Sequence, residues 1–280
     1  MKRACVIGWP ISHSLSPAIH GYWLKRYGVA GDYVTAAVEP KDFEGFLQNL
    51  AANRFCGGNV TVPHKMEAHR LCVLRDPAAE AIGAVNTVWL EGGRLAGSNT
   101  DASGFLANLD GEAAGWDGSG GPAVVIGAGG AARAIVWALR QRGFQDIRIV
   151  NRTKLRAEEL AAAFPPASAH GFDGLGSALQ GAHLIVNAST LGMKGAPPLD
   201  IDLSGAAERA TVCDIVYAPL ETELLSQARR KGLRAVDGLG MLLHQAVPGF
   251  EIWFGVRPEV TPELREAVLS AIEARGKAHP

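Results

Sequence analysis

The chain has 280 residues, a formal net charge of −1, 20% charged residues and 48% hydrophobic residues. That length fills two cores of ordinary size, and the near-neutral charge supplies no global field for nucleic acid or an anionic membrane, so neither is expected as a partner. Cys5, Cys56, Cys72 and Cys213 are scattered without a CxxC pair or zinc-ligand spacing, which reads as free thiols in a reducing cytoplasm. Met1 to Pro10 carries two positive charges, but its apolar run breaks at Gly8 and Pro10, too soon for a signal segment. No other run is long enough to span a bilayer.

In the first hundred residues, β-branched runs at 4–7, 33–38 and 58–62 alternate with helical patterns at 17–27 and 43–52. Strands separated by helices of about ten residues imply βαβ units and a mainly parallel sheet. A helix is expected at 65–74. Residues 85–90 and 94–97 then read as a hairpin turning at Gly92-Gly93. Asp117-Gly-Ser-Gly-Gly121 is the clearest break in composition, and strands at 123–126, 147–150, 183–187, 211–215 and 234–236 follow, with helices such as 131–142 and 155–164 between them. That alternation is a doubly wound, Rossmann-like sheet. Two amphipathic helical stretches, 241–254 and 262–275, close the chain and are expected to return to the first domain. The expected fold is therefore α/β in two domains, 1–103 with 241–280 and 104–240.

The run Asn59-Val-Thr61-Val-Pro-His-Lys65 places a lysine just after a strand stopped by Pro63, at a strand-to-helix corner where open α/β sheets hold ligands. A cation at a helix N-terminus does nothing for stability, and Asn59 and Thr61 share a strand face by period two. Asn99-Thr-Asp101 brings a carboxylate to the next helix, where Asp101 reads both as an N-cap for 102–109 and as a partner for Lys65. A lysine with a nearby carboxylate moves a proton to or from a substrate oxygen. Asn86, Thr87, Asn99 and Thr100 flank the hairpin ends with amides and hydroxyls. The eight histidines show no HExxH or paired spacing, so no metal is expected, and His13, His64 and His244 read as hydrogen-bonding neighbours.

Ser12-His-Ser14-Leu-Ser16-Pro17 has two readings: a helix start with Ser16 as cap and Pro17 in the first turn, or hydroxyls that bind a carboxylate beside a helix N-terminus. Val124-Val-Ile-Gly127-Ala128-Gly129-Gly130-Ala131-Ala132 is a strand, a glycine turn and a helix start, the arrangement that holds a dinucleotide by its pyrophosphate. Ala132 replaces the third glycine, a tolerated change. The next strand ends in Asn151-Arg152-Thr153-Lys-Leu-Arg156 rather than in an acid, so two guanidinium groups and a hydroxyl suit a 2′-phosphate and point to NADP. In Gly238-Leu-Gly-Met241-Leu-Leu-His-Gln245, Met241 and Gln245 lie four apart on one face, either as a thioether for a flat nicotinamide with an amide for a polyol, or as core and surface residues.

Together these runs, with Ile82-Gly-Ala-Val-Asn86-Thr87 and Asp214-Ile215-Val-Tyr217-Ala-Pro219, resemble the shikimate dehydrogenase family over nearly the whole chain. The resemblance implies reversible NADPH-dependent reduction of 3-dehydroshikimate to shikimate, on the route to chorismate and the aromatic amino acids. It implies Lys65 and Asp101 as the catalytic pair. Ser14, Ser16, Thr61, Asn86, Asp101, Tyr217 and Gln245 are implied as substrate contacts. Gly127, Ala128, Gly129, Gly130, Ala131, Asn151, Arg152, Thr153, Arg156, Ile215, Gly238 and Met241 are implied to line the cofactor site. A cytoplasmic monomer or homodimer is expected. The chain departs from the family pattern in the order Ser189-Thr190 and in Pro77, where an acidic residue is sometimes found. The rival expectations are a quinate/shikimate dehydrogenase using NAD or quinate, and a noncatalytic NADPH-binding sensor that needs neither Lys65 nor Asp101.

Overall fold

The computed structural model describes residues 1–118 and 120–278; Ser119, in the glycine-rich break, and His279 and Pro280 lie outside the described residues. The chain forms two compact units, Met1–Thr100 with Leu243–Pro280, and Asp101–Leu242. Among the described residues, no helix is long and apolar enough to cross a membrane.

The first unit runs β1 (Lys2–Gly8), α1 (Ser16–Arg26), β2 (Gly31–Ala37), α2 (Phe43–Gln48), β3 (Gly57–Val60), α3 (Lys65–Leu71), β4 (Leu74–Arg75), α4 (Pro77–Ile82), β5 (Thr87–Glu91) and β6 (Arg94–Ser98). Its sheet has the order β2-β1-β3-β5-β6-β4, with three parallel pairs and two antiparallel ones, so β5 alone opposes its neighbours. Ala4, Cys5, Val6 and Ile7 are all buried, as expected of a strand covered on both faces. The β5–β6 hairpin turns at Gly92 and Gly93, both with positive φ.

The second unit runs α5 (Asp101–Glu112), β7 (Ala123–Ile126), α6 (Gly130–Gln141), β8 (Ile147–Val150), α7 (Lys154–Ala163), β9 (Ser168–His170), α8 (Leu175–Ala178), β10 (Leu184–Asn187), β11 (Thr211–Asp214), α9 (Glu223–Arg230) and β12 (Arg234–Val236). Its strands are all parallel in the order β9-β8-β7-β10-β11-β12, a doubly wound sheet whose order reverses between β7 and β10. Then come α10 (Leu239–Phe254) and α11 (Pro262–Ala278).

Several expected elements change. The helix from Lys65 stops at Leu71, because Val73 N–H donates to the Leu95 carbonyl (3.0 Å) and Leu74 pairs with Ala96. Ser16 is not a cap: Leu15 holds that position, no side chain caps the helix, and Ser16 is its first residue. The helix from Phe43 ends at Gln48. The short strands β4 and β9 were not foreseen, having too few residues to show a period. The expected amphipathic helix from Met241 is instead buried almost all round, with Leu239, Met241, Leu243, Ala246, Val247, Phe250, Trp253 and Phe254 inside.

Within the first unit, α10 docks through aromatic rings: His20 stacks on Tyr33 (4.0 Å between centroids), and Trp23, Phe250 and Trp253 surround it. The indoles keep their donors satisfied, Trp253 Nε1 to the Val88 carbonyl and Trp23 Nε1 to the Glu259 carbonyl, each at 3.0 Å. His20 is fully buried and neither ring nitrogen has a hydrogen-bond partner. Burial drives its pKa from 6.5 down to about 3, with Asn59 nearby offsetting a little. Above pH 6.5 the ring is neutral whether folded or unfolded. As the pH falls, the unfolded chain binds a proton that the native ring refuses, so stability is lost between about pH 6.5 and 3. In urea titrations from pH 7 to pH 4, His20→Phe should remove up to ~1.4 kcal/mol of that loss per pH unit. Equal slopes in the two proteins would show that His20 does not set the acid limb.

Candidate active site

In the first unit β1, β3 and β6 run one way and β5 the other, so the ends of the first three and the start of β5 share one edge of the sheet. Ser14 and Ser16 follow β1, Thr61 and Lys65 follow β3, Asn86 precedes β5, and Asn99 and Thr100 follow β6, with Asp101 next in the chain. Topology thus collects groups that are up to 86 positions apart in the numbering, from Ser14 to Thr100.

Asn86 is the hub of this edge. It is buried, and its Oδ1 accepts the Thr100 N–H (2.8 Å) and the Thr87 hydroxyl (3.1 Å). Its Nδ2 donates to Gln245 Oε1 (3.4 Å), and its carbonyl accepts the Val60 N–H (2.8 Å). The Thr100 hydroxyl donates to the Gln245 carbonyl at 2.8 Å. Behind this hub, Asn59 donates to the Asn86 carbonyl and to Thr87 Oγ1, each at 3.3 Å, and accepts the Tyr33 hydroxyl at 2.6 Å. Burial pushes the Tyr33 phenol well above its ordinary range, so it stays a donor. Tyr33 carried no expectation from sequence, because a tyrosine in an edge strand has no signature there.

The strand ends at Val60, one residue before Thr61, whose N–H still donates to the Ile7 carbonyl of β1 (2.9 Å), and buried Asn59 serves the hub. His64 is a structural neighbour as expected, its Nε2 2.8 Å from the Val38 carbonyl and its ring stacked on Phe43. Lys65 is the half-buried first residue of α3, and its carbonyl accepts the Val85 N–H (2.9 Å), tying it to the residue before Asn86. Exposed Val62 and Met66 lie on either side of it in the chain. The Ser16 N–H donates to Ser14 Oγ (3.3 Å) at the start of an eleven-residue helix that has no acid in its first turn. That end of a helix favours an anion.

In the second unit the glycine turn leaves β7 at the switch point, where doubly wound sheets bind ligands. Gly127 has φ +119°, and a Cβ there would lie 2.8 Å from the Ala188 carbonyl, so only glycine fits. Gly129 and Gly130 face open space, and α6 starts with neither a side-chain cap nor an acid, a helix end of the kind that favours an anion. Ala132 is fully buried, and Ala128 and Ala131 are half-buried. After β8, Asn151 Nδ2 donates to the Thr153 carbonyl (2.9 Å), while Arg152, Thr153 and Arg156 are exposed around the start of α7. Lys154, one residue further on, pairs with Glu158 at 3.5 Å. Ile215 and Tyr217 follow β11, half-buried, and Gly238 N–H donates to the Val216 carbonyl (3.3 Å). Met241 is buried on α10. His244, also on α10, has its pKa lowered by burial. Sequence reasoning assigned no role to Asn187 and Asp214, although each is a polar residue ending an apolar strand. Both are fully buried. Among the described residues, no group of three His, Cys, Asp or Glu side chains is placed to hold a metal ion.

Residues 6–88 match the family model for the shikimate dehydrogenase substrate binding domain, residues 115–192 that for shikimate / quinate 5-dehydrogenase, and residues 238–269 that for the shikimate 5′-dehydrogenase C-terminal domain. A shikimate dehydrogenase (NADP(+)) of Azorhizobium caulinodans is 52% identical over 278 residues, covering 99% of each chain. The crystal structure of a Thermus thermophilus shikimate 5-dehydrogenase in complex with NADP(H) and shikimate superposes with a TM-score of 0.86 at 38% identity, over 97% of this chain and all of that one. A Corynebacterium glutamicum quinate dehydrogenase in complex with NAD gives 0.87 at 31% identity, over 96% of this chain and 99% of that one. Sheet order, switch-point turn and full-length similarity agree: the chain belongs to the shikimate dehydrogenase family.

Proposed function

We propose that the protein interconverts 3-dehydroshikimate and shikimate with NADPH and NADP, residues 1–103 and 241–280 serving as the substrate domain and 104–240 as the cofactor domain. The observation that carries this reading is full-length similarity to an NADP-dependent shikimate dehydrogenase, in a chain whose second strand of the doubly wound sheet is followed by Arg152 rather than an acid. The four free cysteines fit a cytoplasmic enzyme, working as a monomer or homodimer.

Ser14 and Ser16, with the N-terminus of α1, take the substrate carboxylate. Asn86, Asp101 and Gln245 hold the ring hydroxyls, Thr61 and Tyr217 are further substrate contacts, and the rigid hub around Asn86 keeps its amide from reorganising as the reaction proceeds. Lys65 Nζ gives a proton to the oxygen that becomes the C3 hydroxyl and takes it back in the reverse direction, with Asp101 completing the pair. When bound, NADP(H) would supply the hydride chemistry at C3. Gly127 to Ala131 cradle its pyrophosphate, Asn151, Arg152, Thr153 and Arg156 hold the 2′-phosphate, and Ile215, Gly238 and Met241 line the nicotinamide end.

An assay of purified protein with shikimate or quinate and NADP or NAD tests the reading directly. NADP-dependent oxidation of shikimate is expected, and exclusive use of quinate with NAD would overturn it. Lys65→Met should lower kcat by at least ~10²-fold with little change in KM. A small rate loss with a tenfold KM would make Lys65 a binding residue. Wild-type protein should favour NADP over NAD by more than ~10-fold in kcat/KM, because the exposed guanidinium groups keep a useful part of their charge-assisted bonding despite screening. Arg152→Asp should invert that preference, since a carboxylate repels the phosphate and accepts from a free 2′-hydroxyl. An unchanged ratio would place the 2′-phosphate elsewhere.

A further inference from the structure

At the end of β10 and β11, a fully buried carboxylate ties several segments of the second unit together. Asp214 Oδ1 accepts from Asn187 Nδ2 (2.9 Å) and the Val216 N–H (3.0 Å), and Oδ2 accepts the Thr222 hydroxyl (2.7 Å). Asn187 extends the lattice: its Oδ1 accepts the Ser189 N–H (3.1 Å) and hydroxyl (2.7 Å), and its Nδ2 also donates to the Leu191 carbonyl (2.9 Å). Thr222 in turn caps α9, accepting the Leu225 N–H. The neighbouring chain belongs to the apolar core of this unit: Val212 on β11, and Leu224 and Leu225 just after Thr222.

Taking a carboxylate out of water is costly, and an apolar residue of similar volume generally serves stability as well or better. What this one accomplishes is placement. The segment after β10 contains Ala188, whose carbonyl lies 2.8 Å from where a Cβ on Gly127 would be, so the lattice borders the glycine turn. In the segment after β11, Val216 is fastened to the carboxylate, between Ile215 and Tyr217, the residues proposed above to meet cofactor and substrate.

We propose that Asp214, acting through Asn187 and Thr222, is a positioning residue that fixes segments 188–192 and 215–217, so that one buried anion sets the contacts of cofactor and substrate together. The inference rests on the functional reading above for the roles of Ile215 and Tyr217. Its signature is that loosening the lattice weakens both ligands, whereas losing a contact such as Ser14 touches only the substrate.

Thr222→Val removes the donor to Oδ2 at nearly constant shape, Thr222→Ser restores it, and Asp214→Asn provides a second route should the valine variant fold poorly. Hydrogen exchange of the ligand-free protein, the NADP dissociation constant by calorimetry, and KM for NADP and shikimate are measured on each. Thr222→Val and Asp214→Asn should speed exchange selectively in 188–192 and 215–222 and raise the NADP dissociation constant and both KM values roughly tenfold, with a smaller change in kcat. Thr222→Ser should behave as wild type. The proposal is overturned by wild-type exchange in those segments, by faster exchange spread evenly over the unit, or by a lowered Tm with unchanged dissociation constant and KM values. Wild-type protein that fails to oxidise shikimate with NADP would refute the functional reading alone, because exchange in the ligand-free protein reads the lattice without any turnover.

Discussion

The first unit depends on the hydrogen bonds of one buried amide. Asn86 receives a backbone N–H and a hydroxyl on its Oδ1, donates from its Nδ2 and lends its carbonyl to β3. Those bonds join the end of β3, the start of β5, the segment after β6 and Gln245 of α10. Each such bond is modest on balance, but a buried amide left unsatisfied is expensive, so the segments are held in one arrangement or the hub is lost as a whole. The groups proposed to meet substrate inherit their geometry from that constraint.

The second unit solves the same problem with a charge. Where parallel strands end, their last carbonyls and the next N–H groups leave the ladder, and side chains must satisfy them. Asn187 and Asp214 do so from inside the core, and the turn at Gly127 does so by exposing a helix N-terminus instead. The first arrangement holds loops still, and the second leaves donors for a ligand. Their adjacency on neighbouring strands explains why a doubly wound sheet carries its chemistry at the point where strand order reverses.

On the proposed function, discrimination between related reactions falls to a few exposed groups. On that reading, exposed Arg152 and Arg156 present the opposite charge to the acid of an NAD site. The quinate dehydrogenase that shares this fold shows that backbone architecture alone does not choose the substrate.

Much of this was legible in the residues. The strand and helix periods, the glycine turn, the basic run after β8 and the polar residues at the hairpin ends are local patterns, each confined to a few positions, so the doubly wound unit and most proposed ligand groups could be named without coordinates. The shortfalls have a common cause. A helix that begins at Lys65 ends at Leu71 because Leu74 is captured by β6, a partner twenty-two positions away at Ala96. A helix that reads as amphipathic is buried on nearly every side because α1, β2 and β5 supply aromatic and backbone partners for it. Tyr33, Thr100 and Asp214 acquire their roles from hydrogen bonds across 26, 145 and 27 positions. Sequence by itself determined which chemical groups are present and which local elements carry them, because propensity, capping and turn geometry act over a handful of neighbours. Only the tertiary structure decided which polar groups are spent holding one another, because burial and hydrogen-bond satisfaction depend on partners brought together by the sheet.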